Sequence, residues 1–435
     1  MRITLITVGS RGDIQPFVPL ALGLQAAGHQ VRIATHGPYE DFVRFHHLDF
    51  HPIVGNPQEI LQTESGLAWL ETGQNPVTFL RRMRDIAHEI LEQLGRDCLN
   101  ASQDADMILF STLGFFTGVP IAEKLGVPGI ATYLQPIQRT RTLAAVVIPE
   151  LPGDLPLKGQ YNRLTHDLMM EMIWRLFGQA YNHLRTGILG LPPEKRSFRV
   201  SINDPYPVIY GFSPHVIPPP PDWGEHICIS GYWFLDDPEW QPEPELLDFL
   251  AAGPAPVYIG FGSMANRNVD QLTDTVLDAV ARTGQRAILL SGWAGMGSRD
   301  LPDTIYKLDY APHGWLFPRM VAVVHHGGAG TTAAGLRAGV PAVVIPHFAD
   351  QPFWGRRVAA LGVGPQPIPR KQLTAAKLTA AIDMAVSSPA MRQHAAELGA
   401  KIRAEDGVAN AVRCIDAVIR RQSSTSDSSG TSTPY

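Results

Sequence analysis

Cysteine is scarce in this chain of 435 residues: Cys98, Cys228 and Cys414 stand far apart and show no Cys-x-x-Cys spacing. A disulfide scaffold or a structural zinc site is therefore not expected, and a reducing compartment fits. Basic charge is not in excess either. Thirty-six Lys and Arg against 41 Asp and Glu leave a net charge of -5, which gives no electrostatic footprint for nucleic acid. No apolar run reaches the roughly 20 residues of a spanning helix. The first residues enter a strand pattern, Ile3-Thr4-Leu5-Ile6-Thr7-Val8, without a charged and apolar leader. A cytoplasmic protein is expected, with at most a peripheral contact to membranes.

What is present is enough apolar material for two cores. Hydrophobic residues make up 45% of the chain, and its length exceeds what one core usually supports. Strand patterns at Arg2–Val8, Gln30–Thr35, Asp106–Ser111 and Gly129–Tyr133 alternate with helical ones at Pro16–Ala27, Pro38–His46, Pro76–Leu99 and Gly118–Leu125. Such alternation implies parallel βαβ units. A proline- and glycine-broken stretch, Arg139–Lys158, leads to an apolar helix at Thr165–Arg185 and a strand near Pro207–Phe212. Four consecutive prolines within Pro214–Pro221 read as a linker. The alternation then restarts, with strands at Pro256–Phe261, Arg286–Ser291, Ile305–Leu308, Val321–His325 and Ala342–Ile345, and closes on helices at Thr374–Val386, Pro389–Ala404 and Val408–Arg421. The expected division is a first Rossmann-like domain at 1–213, a linker at 214–225, a second such domain at 226–405, a helix at 406–421 able to pack back on the first domain, and a disordered Ser/Thr-rich tail at 422–435.

The segment His325-His326-Gly327-Gly328-Ala329-Gly330-Thr331-Thr332 sets a glycine-rich turn between a strand and a helix. The first amides of such a helix have no intrahelical acceptor and share the positive end of the helix dipole, so an anion, phosphate above all, can dock there. A plain tight turn under a helix is the competing reading. Downstream lie the buried strand pattern Ala342-Val343-Val344-Ile345 and then His347-Phe348-Ala349-Asp350-Gln351. Near the N-terminus the chain reads Gly9-Ser10-Arg11-Gly12-Asp13-Ile14-Gln15-Pro16.

Together these segments resemble family 1 glycosyltransferases, most closely the sterol-glucosyltransferase and glycopeptide-antibiotic branches. The resemblance implies the α/β GT-B fold, two facing Rossmann-like domains with a cleft between them. It implies that Ser263, His326, Gly328, Ala329, Gly330 and Thr331 hold a donor diphosphate, that Tyr310 and His313 meet the uracil and ribose, and that Asp350 and Gln351 hold sugar hydroxyls. Asp13 takes the place where plant-type relatives carry a histidine, and its carboxylate can take the acceptor's proton; a helix N-cap is its structural alternative. The apolar helix offers Met169, Met172 and Trp174 for an apolar acceptor groove, with core packing as the default.

Asp104-Ala105-Asp106 spells a metal-binding DxD pattern, yet it precedes a strand and reads as a helix-to-strand connection. No metal site and no cofactor are expected. The implied activity is inverting, metal-independent transfer of a hexose, glucose from UDP-glucose, to a hydroxyl of an apolar acceptor such as a sterol. A natural-product glycosyltransferase, a UDP-sugar epimerase on the same fold and a non-catalytic nucleotide-sugar-binding subunit are the alternatives, because a fold alone does not settle a reaction. No obligate protein partner is evident.

Overall fold

The computed structural model describes residues 1–55, 90–153, 155–195, 206–261, 269–290 and 301–428. They form two compact units. One takes the described residues up to Phe234 together with those from Asp406 onward, and the other takes those from Leu235 to Glu405.

The first unit is built on seven parallel strands: β1 (Arg2–Ile6), β2 (Gln30–His36), β3 (Asp49–Ile53), β4 (Met107–Phe110), β5 (Gly129–Tyr133), β6 (Val208–Tyr210) and β7 (Ile227–Ile229). Their order is β3-β2-β1-β4-β5-β6-β7. Helices such as Phe17–Ala26 and Phe115–Leu125 supply the crossovers. The inner strands are mostly buried, as strands covered on both faces are, and β4 is an apolar run in which every residue is buried. The edge strand β3 tolerates Pro52. Because β2 lies on one side of β1 and β4 on the other, the loops after β1 and β4 diverge. A crevice opens there at the carboxyl ends of the strands.

The second unit repeats the plan with five parallel strands: β8 (Val257–Gly260), β9 (Ala287–Leu290), β10 (Ile305–Leu308), β11 (Ala322–His325) and β12 (Ala342–Val344). Their order, β10-β9-β8-β11-β12, puts the equivalent switch between β8 and β11. Val257, Ile259, Leu289, Val324 and Val343 form the core of this unit with Leu272 and Val276 of the helix Val269–Thr283 and Leu378 and Ile382 of the helix Ala375–Ser387.

Four expectations are corrected. The proline run is not a linker between units. Phe212, Ser213, Val216 and Ile217 are buried, Trp223 stacks on Tyr210 at 4.9 Å, and β7 then pairs with β6, so the first unit continues to Phe234. Proline content reports stiffness, and a stiff segment packs on a surface as readily as it spans a gap. The final helix runs from Gly407 to Ser428 and so enters the tail expected to be disordered; 429–435 lie outside the described residues. This helix belongs to the first unit, where a Cβ on Gly23 would meet Val408 at 2.4 Å and Asn410 donates to the Ser230 carbonyl. Cys228 of β7 and Cys414 of that helix form a disulfide across 186 residues of sequence, while Cys98 is free and buried. Spacing along the chain could not reveal a pair that the fold closes. The strands β3 and β7 were not expected: β3 carries Asp49, His51 and Pro52, and β7 is only three residues long.

Candidate active site

At the first unit's switch point the chain leaves β1 through Gly9 and turns into the short helix Arg11–Ile14. Asp13 is not the N-cap of that helix. Ser10 is, and Asp13 sits two residues inside its first residue, where its Oδ2 accepts from the Ser10 amide at 2.8 Å and from Ser10 Oγ at 3.0 Å. This is the acidic half of a capping box. Gly9 takes φ +140°, and a Cβ there would come within 2.4 Å of Asp13 Oδ2, so only glycine lets the carboxylate fold back over the turn. Asp13 borders a shallow recess with Ser111, Thr112, Thr132 and Gln135, floored by Val8 and Phe17. Ser111 follows β4, its amide donating to the Ile6 carbonyl of β1, and its Oγ accepts from the Val8 and Gly114 amides. Ser111, Thr112 and Gln135 were not singled out from the sequence. Their signal was available, since a residue that ends a strand next to β1 must face this crevice.

At the second unit's switch point β11 ends in His325, and the turn His326-Gly327-Gly328 leads into the helix Ala329–Ala338 with Gly328 as N-cap. Gly327 has φ +90°, and a Cβ there would strike Val344 at 2.7 Å and the Gln351 carbonyl at 3.1 Å. At Gly330 a Cβ would meet nothing within 4 Å, so the amides of Ala329, Gly330 and Thr331 start a helix whose outer face is open. The His326 ring lies over Gly328, whose Cβ would sit 2.6 Å from its Nε2. His325 is wholly buried and accepts from the Gly327 amide through Nδ1, a structural role. Burial pushes His326 down to about 4 and His325 and His347 to about 3, so all three imidazoles are neutral near pH 7. His326 Nδ1, His347 Nε2 and Thr332 Oγ1 are buried with no hydrogen-bond partner. Unpaired buried polar atoms gathered at a helix start fit an incoming oxyanion.

The remaining expected residues fall as follows. Asp350 is the N-cap of the helix Gln351–Ala360 but caps nothing with its side chain; Oδ2 accepts from Trp354 Nε1 at 2.9 Å. Ala349 before it has φ +54°, a strained conformation for a residue with a Cβ. Gln351 is buried, and its Oε1 accepts from the His347 and Phe348 amides, tying together the turn after β12. Tyr310 is half exposed. His313 opens a short helix and stacks on Phe317 at 4.3 Å, close to Tyr258. Ser263 lies outside the described residues. Along the helix Lys158–His183, Met169 is 5% exposed and Met172 50%, while Trp174 packs on Gly178, so the three do not form one lining. Asp104 and Asp106 pair with Arg32 and Arg2 at the opposite, amino end of the strands, which explains the DxD pattern. Among the described residues no three His, Cys, Asp or Glu side chains gather as metal ligands, and no helix is long and apolar enough to cross a membrane.

Parallel doubly wound sheets with anion-ready and carboxylate-bearing switch points define a class. Residues 3–144 match the glycosyltransferase family 28 N-terminal domain and residues 274–417 the erythromycin biosynthesis protein CIII-like C-terminal domain. Both units thus match glycosyltransferase-type domains, and the fold is that of the GT-B glycosyltransferases. The chain has more particular similarities. It is 36% identical over 441 residues to the sterol 3-beta-glucosyltransferase of Cryptococcus neoformans, covering 95% of this chain and 27% of that one. It is 37% identical over 426 residues to the sterol 3-beta-glucosyltransferase of Arabidopsis thaliana, covering 95% and 65%. The chain thus spans between about a quarter and two thirds of these curated relatives. Among solved structures, the calicheamicin glycosyltransferase CalG4 superposes with a TM-score of 0.68 at 18% identity, covering 97% of this chain and 98% of that one. The glycosyltransferase VinC in complex with dTDP gives 0.65 at 19%, covering 97% and 100%. These likenesses show the fold.

Proposed function

We propose that the chain is an inverting glucosyltransferase that moves glucose from UDP-glucose to the hydroxyl of a sterol or a similar apolar alcohol. The observation that carries this reading is Asp13: a carboxylate held by two hydrogen bonds at the carboxyl edge of the first sheet, beside a small recess of mixed polar and apolar lining. A protein that only bound a nucleotide sugar would have no use for a base there. Asp13 takes the proton from the acceptor hydroxyl as its oxygen attacks the anomeric carbon, and the anomeric bond to UDP breaks on the other side. The helix start at Ala329, with His326, stabilises the charge that develops on the departing diphosphate. Asp350 and Gln351 hold sugar hydroxyls, and Tyr310 and His313 border the base. The names of the curated relatives supply the acceptor class.

The protein is incubated with UDP-glucose and a sterol, and the product is examined by mass spectrometry and by the proton coupling at the anomeric carbon. A β-linked steryl glucoside is expected. Glucose transferred only to macrolide or flavonoid acceptors in the same assay would move the reading to natural-product chemistry, and epimerised UDP-sugar without any conjugate would end it. We place the enzyme in the cytoplasm, in peripheral contact with membranes that hold its acceptor. Cys228 and Cys414 are bridged in the structure, whereas a reducing compartment would keep them apart, so labelling of free thiols in freshly acid-quenched cells decides the point: labelled Cys228 and Cys414 support the cytoplasm, and an intact bridge rules it out.

A further inference from the structure

His36 ends β2 with its side chain almost wholly buried, 27 residues away from Gly9 in sequence. The Gly9 amide donates to its Nε2 at 3.2 Å, and its Nδ1 lies 3.1 Å from the Val54 carbonyl. An amide can only donate and a carbonyl can only accept, so the ring is the neutral tautomer with its proton on Nδ1 and its lone pair on Nε2. Gly55 lies beside the ring, where an added Cβ would stand at ordinary contact distance, 3.5 Å from Cε1. Gly9 in turn is the peptide over which the Asp13 carboxylate folds, with Ser10 binding Oδ2 and Thr7 Oγ1 donating to the Asp13 carbonyl. The chain of contacts therefore runs from the end of β3 through His36 to Gly9 and then to the carboxylate.

We infer that His36 is a positioning residue for Asp13: its Nε2 lone pair fixes the Gly9 peptide and through it the direction of the carboxylate. This rests on Asp13 being the base. His36 touches no reactant in this account, so its effect must appear in turnover and not in donor binding. Two amide substitutions separate its two bonds. In His36→Asn the shorter side chain reaches the Nδ1 position and can serve Val54, but it leaves Gly9 without an acceptor. In His36→Gln the longer one can serve Gly9. Misplacement of a catalytic group by about 1 Å lowers rates by up to about a hundredfold. His36→Asn is expected to lose about tenfold or more in kcat, with KM for UDP-glucose and affinity for UDP unchanged, and His36→Gln to recover most of that loss.

Combining His36→Asn with Asp13→Asn should be no worse than Asp13→Asn alone, because the positioned group is already gone. Losses that multiply in the double variant, or a His36→Asn enzyme with wild-type kcat, would overturn the proposal. If Asp13→Asn by itself leaves turnover intact, the reading of Asp13 as base fails first and the positioning role with it. If Asp13→Asn is inactive while His36→Asn is not, the positioning role alone fails. Should His36→Asn not fold, His36→Gln decides: a folded His36→Gln enzyme with normal UDP affinity and kcat near wild type supports the role, and one with a tenfold lower kcat overturns it.

Discussion

Asparagine and aspartate are nearly isosteric, and at position 13 that makes one substitution informative. The amide oxygen of Asp13→Asn can still accept from the Ser10 amide and hydroxyl, so the four-residue helix keeps its cap. What is lost is the basic oxygen. A positioned general base is worth on the order of 100- to 10,000-fold in rate, against about 1 kcal/mol for a cap. Turnover in a step limited by chemistry should fall at least about a hundredfold, with melting temperature and UDP affinity nearly unchanged; near wild-type turnover would remove Asp13 from the mechanism. His326 is the matching case on the donor side. Its ring is neutral and one nitrogen is buried without a partner, so in the proposed donor site it would meet the diphosphate as a neutral donor to a charged acceptor. His326→Ala should cost about 1.5 to 3 kcal/mol in UDP binding, and calorimetry giving the wild-type affinity would leave it a purely structural residue. At this scale the glycine turns were legible, because a strand followed by Gly-Gly-Ala-Gly-Thr needs no tertiary knowledge to suggest an anion site. The partners of Asp13 were not: Ser10 as cap, Ser111 beside it and His36 behind it are brought together by strand order and not by spacing.

Elements carried their own signals unequally. The inner strands are rich in buried apolar residues and could be bounded to within a residue or two, as at Gly129–Tyr133. β3 carries Asp49, His51 and Pro52 in five residues and is a strand only because β2 offers it an edge. The helix Lys158–His183 misled in the other direction. Its apolar residues cover more than one face, which suggested a methionine-lined groove, yet Met169 and Met170 are core while Leu164, Leu168 and Met172, spaced four apart, stand half exposed along one line. A row of exposed aliphatic side chains is where an apolar acceptor can be covered, so the prediction shifts from Trp174, which packs on Gly178, to Met172. Met172→Ser should alter stability by no more than about 0.5 kcal/mol, as surface changes do, and raise KM for a sterol while sparing UDP affinity. An unchanged KM for the acceptor would take this row out of the acceptor site.

For the whole molecule, the doubly wound plan of each unit followed from alternating patterns, whereas the unit boundary and the disulfide did not, since both depend on the last helix returning to the first unit. Burial lowers the pKa of His36 and His166 in the first unit, but the largest depressions fall in the second. His325, His326 and His347 all lie in the second unit, and burial depresses each from the ordinary 6.5 to about 3 or 4. Between those values the unfolded chain binds protons that the folded unit refuses, so stability is full above about pH 6.5 and is lost as the pH falls toward about 4. The midpoint of urea unfolding should therefore be level from pH 8 to 7 and decline below, with hydrogen exchange rising first in peptides spanning 322–347. Saturating UDP, which binds only the folded unit, should raise the midpoint at each pH without removing the decline. A midpoint that stays flat from pH 7 to about 4 would mean that these rings are solvated or already charged in the fold, and with that the dry, preorganised donor site argued for His326 would have to be given up.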